Sequence, residues 1–87
     1  MKNLVGKRLK QARHSVNPRM TQDQLAARLQ LQGINLDRAA ISKIEIGIRP
    51  ITDVELVAIA KVLGTTVAWL VGESEPKHYT HPLEEGK

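Results

Sequence analysis

Two stretches decide the fold: MTQDQLAARL at residues 20–29 and AAISKIEIGIRP at residues 39–50. In the first, Thr21 lies three positions before Gln24. This spacing allows each side chain to bond the other residue's backbone N–H in a capping box. Apolar residues then recur at helical spacing, and no stretch of the chain shows the sustained two-residue alternation of a strand. The first stretch therefore predicts a helix that begins just after Thr21.

The second stretch predicts another short helix, from about Asp37 to Ile46. Asp37 is a suitable N-cap residue, and Ile41 and Ile44 lie three positions apart on one side of the helix. Gly47 can adopt the left-handed conformation that ends many helices. The opposite side is expected to carry no large apolar side chain, and its residues are Arg38, Ala39, Ser42 and Lys43.

Similar signals predict three further helices, which run from a cap at Asn3 to Asn17, from Thr52 to Gly64, and from Thr66 to about Gly72. The basic residues of the first helix are expected on its outer faces: Lys7, Arg8, Lys10 and Arg13. The stretch after Gly72 contains two prolines, six charged residues and few residues to bury. We therefore expect one all-α domain of five helices over residues 1–72, followed by a flexible tail, residues 73–87.

The charge of the chain is unevenly distributed. Residues 1–50 contain ten Lys or Arg and three Asp or Glu, a formal charge of +7, whereas residues 51–87 contain three and six, a charge of −3. Binding to a polyanion requires such a localised basic surface, although a solvated surface can show the same pattern. Charge by itself therefore does not assign a function.

Composition argues against several other classes of protein. The chain contains no cysteine, so disulfides and thiolate metal sites are excluded. His78 and His81 have no further ligand at a suitable spacing, so no metal or other cofactor is expected. No apolar run approaches the roughly 20 residues of a membrane span. We expect a soluble, cytoplasmic protein without membrane contact.

Together with TDVELVAIAKVLGTTVAWLVGE at residues 52–73, the two stretches resemble the Cro and phage-repressor type of helix-turn-helix family, also called the xenobiotic-response-element type. The resemblance spans about residues 4–72. It depends on a Thr-Gln helix start, an Ile-Ser-x-Ile-Glu core, a Gly-x-Arg exit, and Leu-Gly followed by Trp-Leu-x-Gly. It implies a five-helix, lambda-repressor-like DNA-binding domain whose third helix, the recognition helix, enters the major groove.

The resemblance also implies which residues contact DNA. Gln22 matches a position that meets a phosphate and supports a base-contacting side chain, and Arg49 matches an exit residue that contacts the backbone. By the resemblance, Arg38, Ala39 and Ala40 occupy the first turn of the recognition helix, and Ser42 and Lys43 the next. Ala39 and Ala40 either contact a thymine methyl group or leave room for close approach. Basic residues outside that match complete the phosphate contacts. The full set of candidate DNA-binding residues is Arg19, Gln22, Arg38, Ala39, Ala40, Ser42, Lys43 and Arg49, with Lys7 and Arg8 as further phosphate contacts. By its charge, Glu45 is expected to pair with Arg49 or a nearby basic residue instead of contacting DNA.

Two features depart from the family pattern. Eleven residues separate Leu29 from Ile41, where about six are usual, so the turn is longer and the recognition helix is expected to be offset or tilted. Ile46 stands where many members have Asn, so one polar contact at the end of the recognition helix is missing. This loss either weakens the grip on the DNA backbone or marks an added apolar contact. Trp69 is expected in the core, with a dimer contact as the alternative.

The predicted function is a sequence-specific, double-stranded DNA-binding transcriptional regulator, a repressor of bacterial or phage type. Since one recognition helix covers only a few base pairs, we expect a homodimer on DNA. The alternative is a protein-binding helical module, such as an antitoxin or regulatory subunit, that uses the fourth and fifth helices or the tail. No cluster of nucleophile, base and orienting residue predicts an enzyme, and no small-molecule ligand is evident.

Overall fold

The computed structural model describes residues 4–73 and contains five helices over that range: α1 (Leu4–Ser15), α2 (Gln22–Leu31), α3 (Arg38–Ile46), α4 (Asp53–Leu63) and α5 (Val67–Leu70). These residues form no strand. The prediction of an all-α, five-helix fold is therefore confirmed. The expected cap at Asn3 and the expected tail, apart from Glu73, lie outside the described residues.

Local side-chain interactions set where the helices begin. At the start of α2, Thr21 Oγ1 accepts the Gln24 backbone N–H at 3.0 Å, while Gln24 Oε1 accepts that of Thr21 at 2.8 Å. Thr52 and Glu55 form the same reciprocal box at the start of α4. Such caps each stabilise a helix by about 1 kcal/mol, and their sequence signal is local. The capping box predicted at Thr21 is confirmed, and α4 begins directly after Thr52, as predicted.

Glycine sets where α3 ends. Gly47 has φ +88°, in the left-handed region where a residue with a Cβ costs about 1 to 2 kcal/mol. This conformation lets Ile48 donate its backbone N–H to Lys43 at 2.9 Å, the bond that closes the helix end. Gly47 therefore fixes the position at which α3 ends.

The core is aliphatic and draws on every helix. Its fully buried large side chains are Leu9, Leu25, Leu29, Ile41, Ile59 and Leu70. Burial of each such side chain stabilises the fold by roughly 1.5 to 3 kcal/mol. Helix α1 packs against α3, α4 and α5, and α2 packs against α3 and α4. Within the described part of the chain, no helix is long and apolar enough to span a membrane.

The long turn between α2 and α3 is anchored to this core. Helix α2 continues to Leu31, so six residues, 32–37, connect it to α3. Leu36 is buried and Ile34 is half-buried against the core, and the Ile34 backbone N–H bonds the Leu29 carbonyl at 3.0 Å. The additional residues of the turn are therefore held against the core, directly before α3 begins.

Candidate nucleic-acid interface

Helix α3 has one buried side and one exposed side. Ile41 and Ile44 are buried in the core, whereas Arg38, Ala39 and Lys43 are exposed. Asp37 caps the helix, since its Oδ1 accepts the Ala40 backbone N–H at 2.8 Å. The predicted geometry, isoleucines beneath and cations outward, is present in the structure.

One expectation about the exposed side is wrong. Ile46 projects there with 63% of its surface exposed, although no large apolar residue was expected. The reason is helical geometry, because Ile46 follows Ala39 by seven residues, nearly two full turns. Ile48, just past the helix end, is also 67% exposed. The exposed side of α3 is therefore partly apolar.

The candidate DNA-binding residues in the first turns of α3 differ in how exposed they are. Ala40 is half-buried and packs against the core, and Ser42 is half-buried. Arg38 and Lys43 are exposed, and the structure gives neither side chain a hydrogen-bond or ion-pair partner among residues 4–73. Both cations therefore remain available to a ligand outside the domain.

A shallow cleft joins the start of α2 to the start of α3. Its volume is about 390 Å³, and its lining residues are Arg13, Arg19, Met20, Thr21, Gln22, Asp23 and Arg38. Arg19 is exposed at this cleft. The amino-terminal end of a helix carries unsatisfied N–H groups and a partial positive charge, which favour an anion. Two predicted DNA-binding cations, Arg19 and Arg38, are thus brought to one concave surface.

Gln22 is held on this surface by a buried ion pair. Arg13 Nε lies 2.8 Å from Glu45 Oε2, and Arg13 Nη2 donates to Glu45 Oε1 at 2.9 Å. Gln22 Nε2 donates to the same Oε1 at 3.0 Å. Gln22 is therefore positioned by Glu45 at the edge of the cleft, which fits a supporting role.

The placement of Arg13 corrects the sequence prediction. Arg13 was expected on an outer face of α1 but is only 6% exposed. It follows Leu9 by one helical turn, so its stem runs along the core, and its charge is compensated by Glu45 and by the Met20 carbonyl at 2.9 Å. The expected basic partner of Glu45 thus comes from α1, and it is not Arg49.

Arg49 has a different partner. Its Nη1 and Nη2 lie 3.1 and 3.2 Å from the two carboxylate oxygens of Glu55, and Nη1 also donates to the Pro50 carbonyl at 2.8 Å. The hydrogen bond from Arg49 lowers the pKa of Glu55, and the same bond raises the pKa of Arg49. The pair connects the exit from α3 to the start of α4.

Arg8, expected to contact phosphate, is packed against Trp69. Its Nη1 donates to the Trp69 carbonyl at 2.9 Å, and its guanidinium lies 4.7 Å from the centre of the indole ring. Trp69 itself is half-buried against the core. No local signal could have revealed this contact, because 61 residues separate the two positions.

Positive charge also affects the histidine near the cleft. The pKa of His14 is lowered by desolvation and then by the charges of Arg13, Arg19 and Lys10.

Over residues 4–73, no group of three His, Cys, Asp or Glu side chains is placed to hold a metal ion.

The capped α2, the anchored turn and the half-exposed α3 define a helix-turn-helix domain. A family model described as helix-turn-helix, of the Cro/C1 type, matches residues 9–70. The chain belongs to this family, and it is a DNA-binding helix-turn-helix protein of a regulatory class. No curated protein and no solved structure gives a significant match.

Proposed function

We propose that this protein is a sequence-specific repressor of bacterial or phage type that binds double-stranded DNA in the cytoplasm by inserting α3 into the major groove. One observation carries the proposal. Arg38 and Lys43 project from α3 toward solvent, whereas the one acidic residue of α3, Glu45, is turned into the core and held by Arg13. The exposed side of the helix is consequently positive and complementary to DNA.

The contacts divide into two groups. Arg38 is the candidate for a guanine, because its planar guanidinium can bond O6 and N7 together. Ala39 and Ala40 would lie close to base edges, and Lys43 is placed for either a base or a phosphate. The proposed phosphate contacts are Arg19, Gln22, Ser42 and Arg49, of which Gln22 and Arg49 are already oriented by Glu45 and Glu55. Phosphate contacts position the domain, and base contacts supply discrimination.

Repression would follow from occupancy of the operator. A recognition helix of nine residues reads only a few base pairs, so two copies on a two-fold site about 34 Å apart would supply the specificity. We therefore propose a homodimer on DNA. Sedimentation with a selected symmetric site should give two protomers per duplex; one protomer per duplex with no symmetric site would refute the dimer.

Selection of bound duplexes from a random pool, followed by binding at two salt concentrations, tests the proposed function. We expect a defined consensus and an affinity that falls steeply as salt rises, because phosphate contacts release counterions. Absence of any binding near 50 mM salt would overturn the proposal. If the affinity fell steeply with salt but was equal on all duplexes, the protein would bind DNA without sequence specificity.

A second candidate, a protein-binding module, is favoured by a different surface. Val54 and Val57 are 62% and 46% exposed. The two valines line a groove with Ile34 and Ala58 on the α4 side of the long turn. Exposed apolar groups gathered around a groove are typical of a partner surface. If duplex DNA does not bind, this candidate becomes the better one.

A further inference from the structure

We propose that α3 discriminates among operators through thymine methyl groups, which Ala39 and Ile46 contact in the major groove. The inference depends on the proposed DNA-binding function and names the chemical feature that it recognises. It starts from the finding that the outward side of the recognition helix is apolar at two positions.

Helical geometry places these two positions on one line. At 100° per residue, Ala39, Lys43 and Ile46 lie within about 60° of one another around the helix axis. All three are exposed, Ile46 at 63%. They lie opposite Ile41, which is completely buried. We call Ala39, Lys43 and Ile46 the outward stripe; it is the part of α3 that would project deepest into a groove.

The major groove of DNA offers a chemical group that suits each side chain of the outward stripe. Lys43 can donate hydrogen bonds to bases, but Ala39 and Ile46 offer only methyl and methylene groups. On the major-groove edges of the four base pairs, the apolar group is the C5-methyl of thymine. Helix α3 has nine residues and is about 13.5 Å long, comparable to the roughly 12 Å width of the groove. Both ends of the stripe can therefore lie within the groove.

Charge argues against a second copy as the partner of this surface. If two protomers met through the outward stripe, Arg38 and Lys43 of one would approach the same cations of the other. Glu45 could not compensate them, because it is buried and bonded to Arg13. DNA is a polyanion whose major groove carries thymine methyl groups, so it matches both the cations and the apolar residues of α3.

The separation of the two apolar residues predicts a spacing in the operator. Ala39 and Ile46 are seven residues apart, about 10.5 Å along the helix axis. This distance corresponds to about three base steps of roughly 3.4 Å. We expect each half-site to contain two methyl-sensitive thymines about three base pairs apart.

The test replaces each thymine of the selected operator, one at a time, with deoxyuridine, which lacks only the methyl group. Two positions per half-site should lose about fourfold in affinity, as expected when one methyl is no longer buried. Ile46→Ala should remove the sensitivity at one position, and Ala39→Gly, which lacks the Cβ carbon, should remove it at the other. Val54→Ala is the matched control, since Val54 is equally exposed but belongs to α4; it should retain both sensitivities.

Each outcome decides the inference. A specific complex that tolerates deoxyuridine everywhere would overturn it and leave the proposed DNA-binding function intact. Sensitivity that persists in Ile46→Ala and Ala39→Gly would assign the methyl contacts to other residues and also overturn it. A protein that binds no duplex would fail both proposals. Circular dichroism of each variant checks that the helical content of the domain is retained, and Ile46→Asn provides a second, polar replacement at the exposed position.

Discussion

The guanidinium of Arg13 forms a two-pronged ion pair with the carboxylate of Glu45, with distances of 2.8 and 2.9 Å. Their side chains are only 7% and 3% exposed. The pair joins α1 to α3, and Gln22 connects it to the first turn of α2. The two helices of the motif are thus fixed to each other and to α1 through one carboxylate.

Glu45→Ala should destabilise the domain by about 3 to 5 kcal/mol, because it leaves the Arg13 charge buried without its partner. Urea unfolding measures this change. The double variant Arg13→Met, Glu45→Leu should lose much less than the sum of the two single variants, since it removes both charges. A loss below about 1 kcal/mol for Glu45→Ala, or strictly additive losses, would contradict the assignment.

Arg38→Ala should reduce affinity for the selected operator by about 1 to 3 kcal/mol and affect random duplex DNA little, because the lost contact is to a base. Fluorescence anisotropy on both duplexes separates these effects. Lys61→Ala is the charge-matched control, since Lys61 lies on α4 beside the groove of Val54 and Val57. Equal losses on the two duplexes would show that Arg38 contacts phosphate only.

Arg19→Ala should weaken binding to every duplex and lower the slope of log affinity against log salt by about one, as expected for one lost phosphate contact. Arg8→Ala is the informative comparison, because Arg8 is engaged with Trp69. It should leave the salt slope unchanged and lower the free energy of unfolding by about 0.5 to 1 kcal/mol. If Arg8→Ala lowered the salt slope and Arg19→Ala did not, Arg8 would be the phosphate contact instead of Arg19.

The Arg49–Glu55 pair should make stability sensitive to acid. The Arg49 hydrogen bond lowers the pKa of Glu55 in the folded protein, so the unfolded chain binds that proton first as pH falls. The contribution is complete above the ordinary Glu pKa and is lost as pH falls through the lowered value. Glu55→Gln should cost less than about 1 kcal/mol at pH 7, because the pair is partly exposed.

Below about pH 4.5, near the ordinary Glu pKa, Glu55→Gln should also flatten the fall of stability with decreasing pH. Glutamine can still complete the capping box with Thr52, so the difference isolates the charge. Thermal unfolding across this pH range measures it. An unchanged pH profile would show that Glu55 contributes only as a cap.

The candidate site was only partly predictable. Arg38 and Lys43 were correctly expected on the exposed side of α3, because the positions of Ile41 and Ile44 determine which side is buried. The partners of Arg49 and Arg8 were not predictable, since Glu55 and Trp69 are brought to them by packing. The DNA contacts themselves remain predictions.

By itself, the sequence determined where the helices begin and end and which side of α3 is buried. Thr21, Thr52 and Gly47 act through backbone groups within a few residues, so their effects can be inferred without a fold. Only the tertiary structure decided that the Arg13 cation is internal and paired with Glu45. Arg13 and Glu45 are 32 residues apart, and a charge is buried only where chain packing delivers a compensating partner.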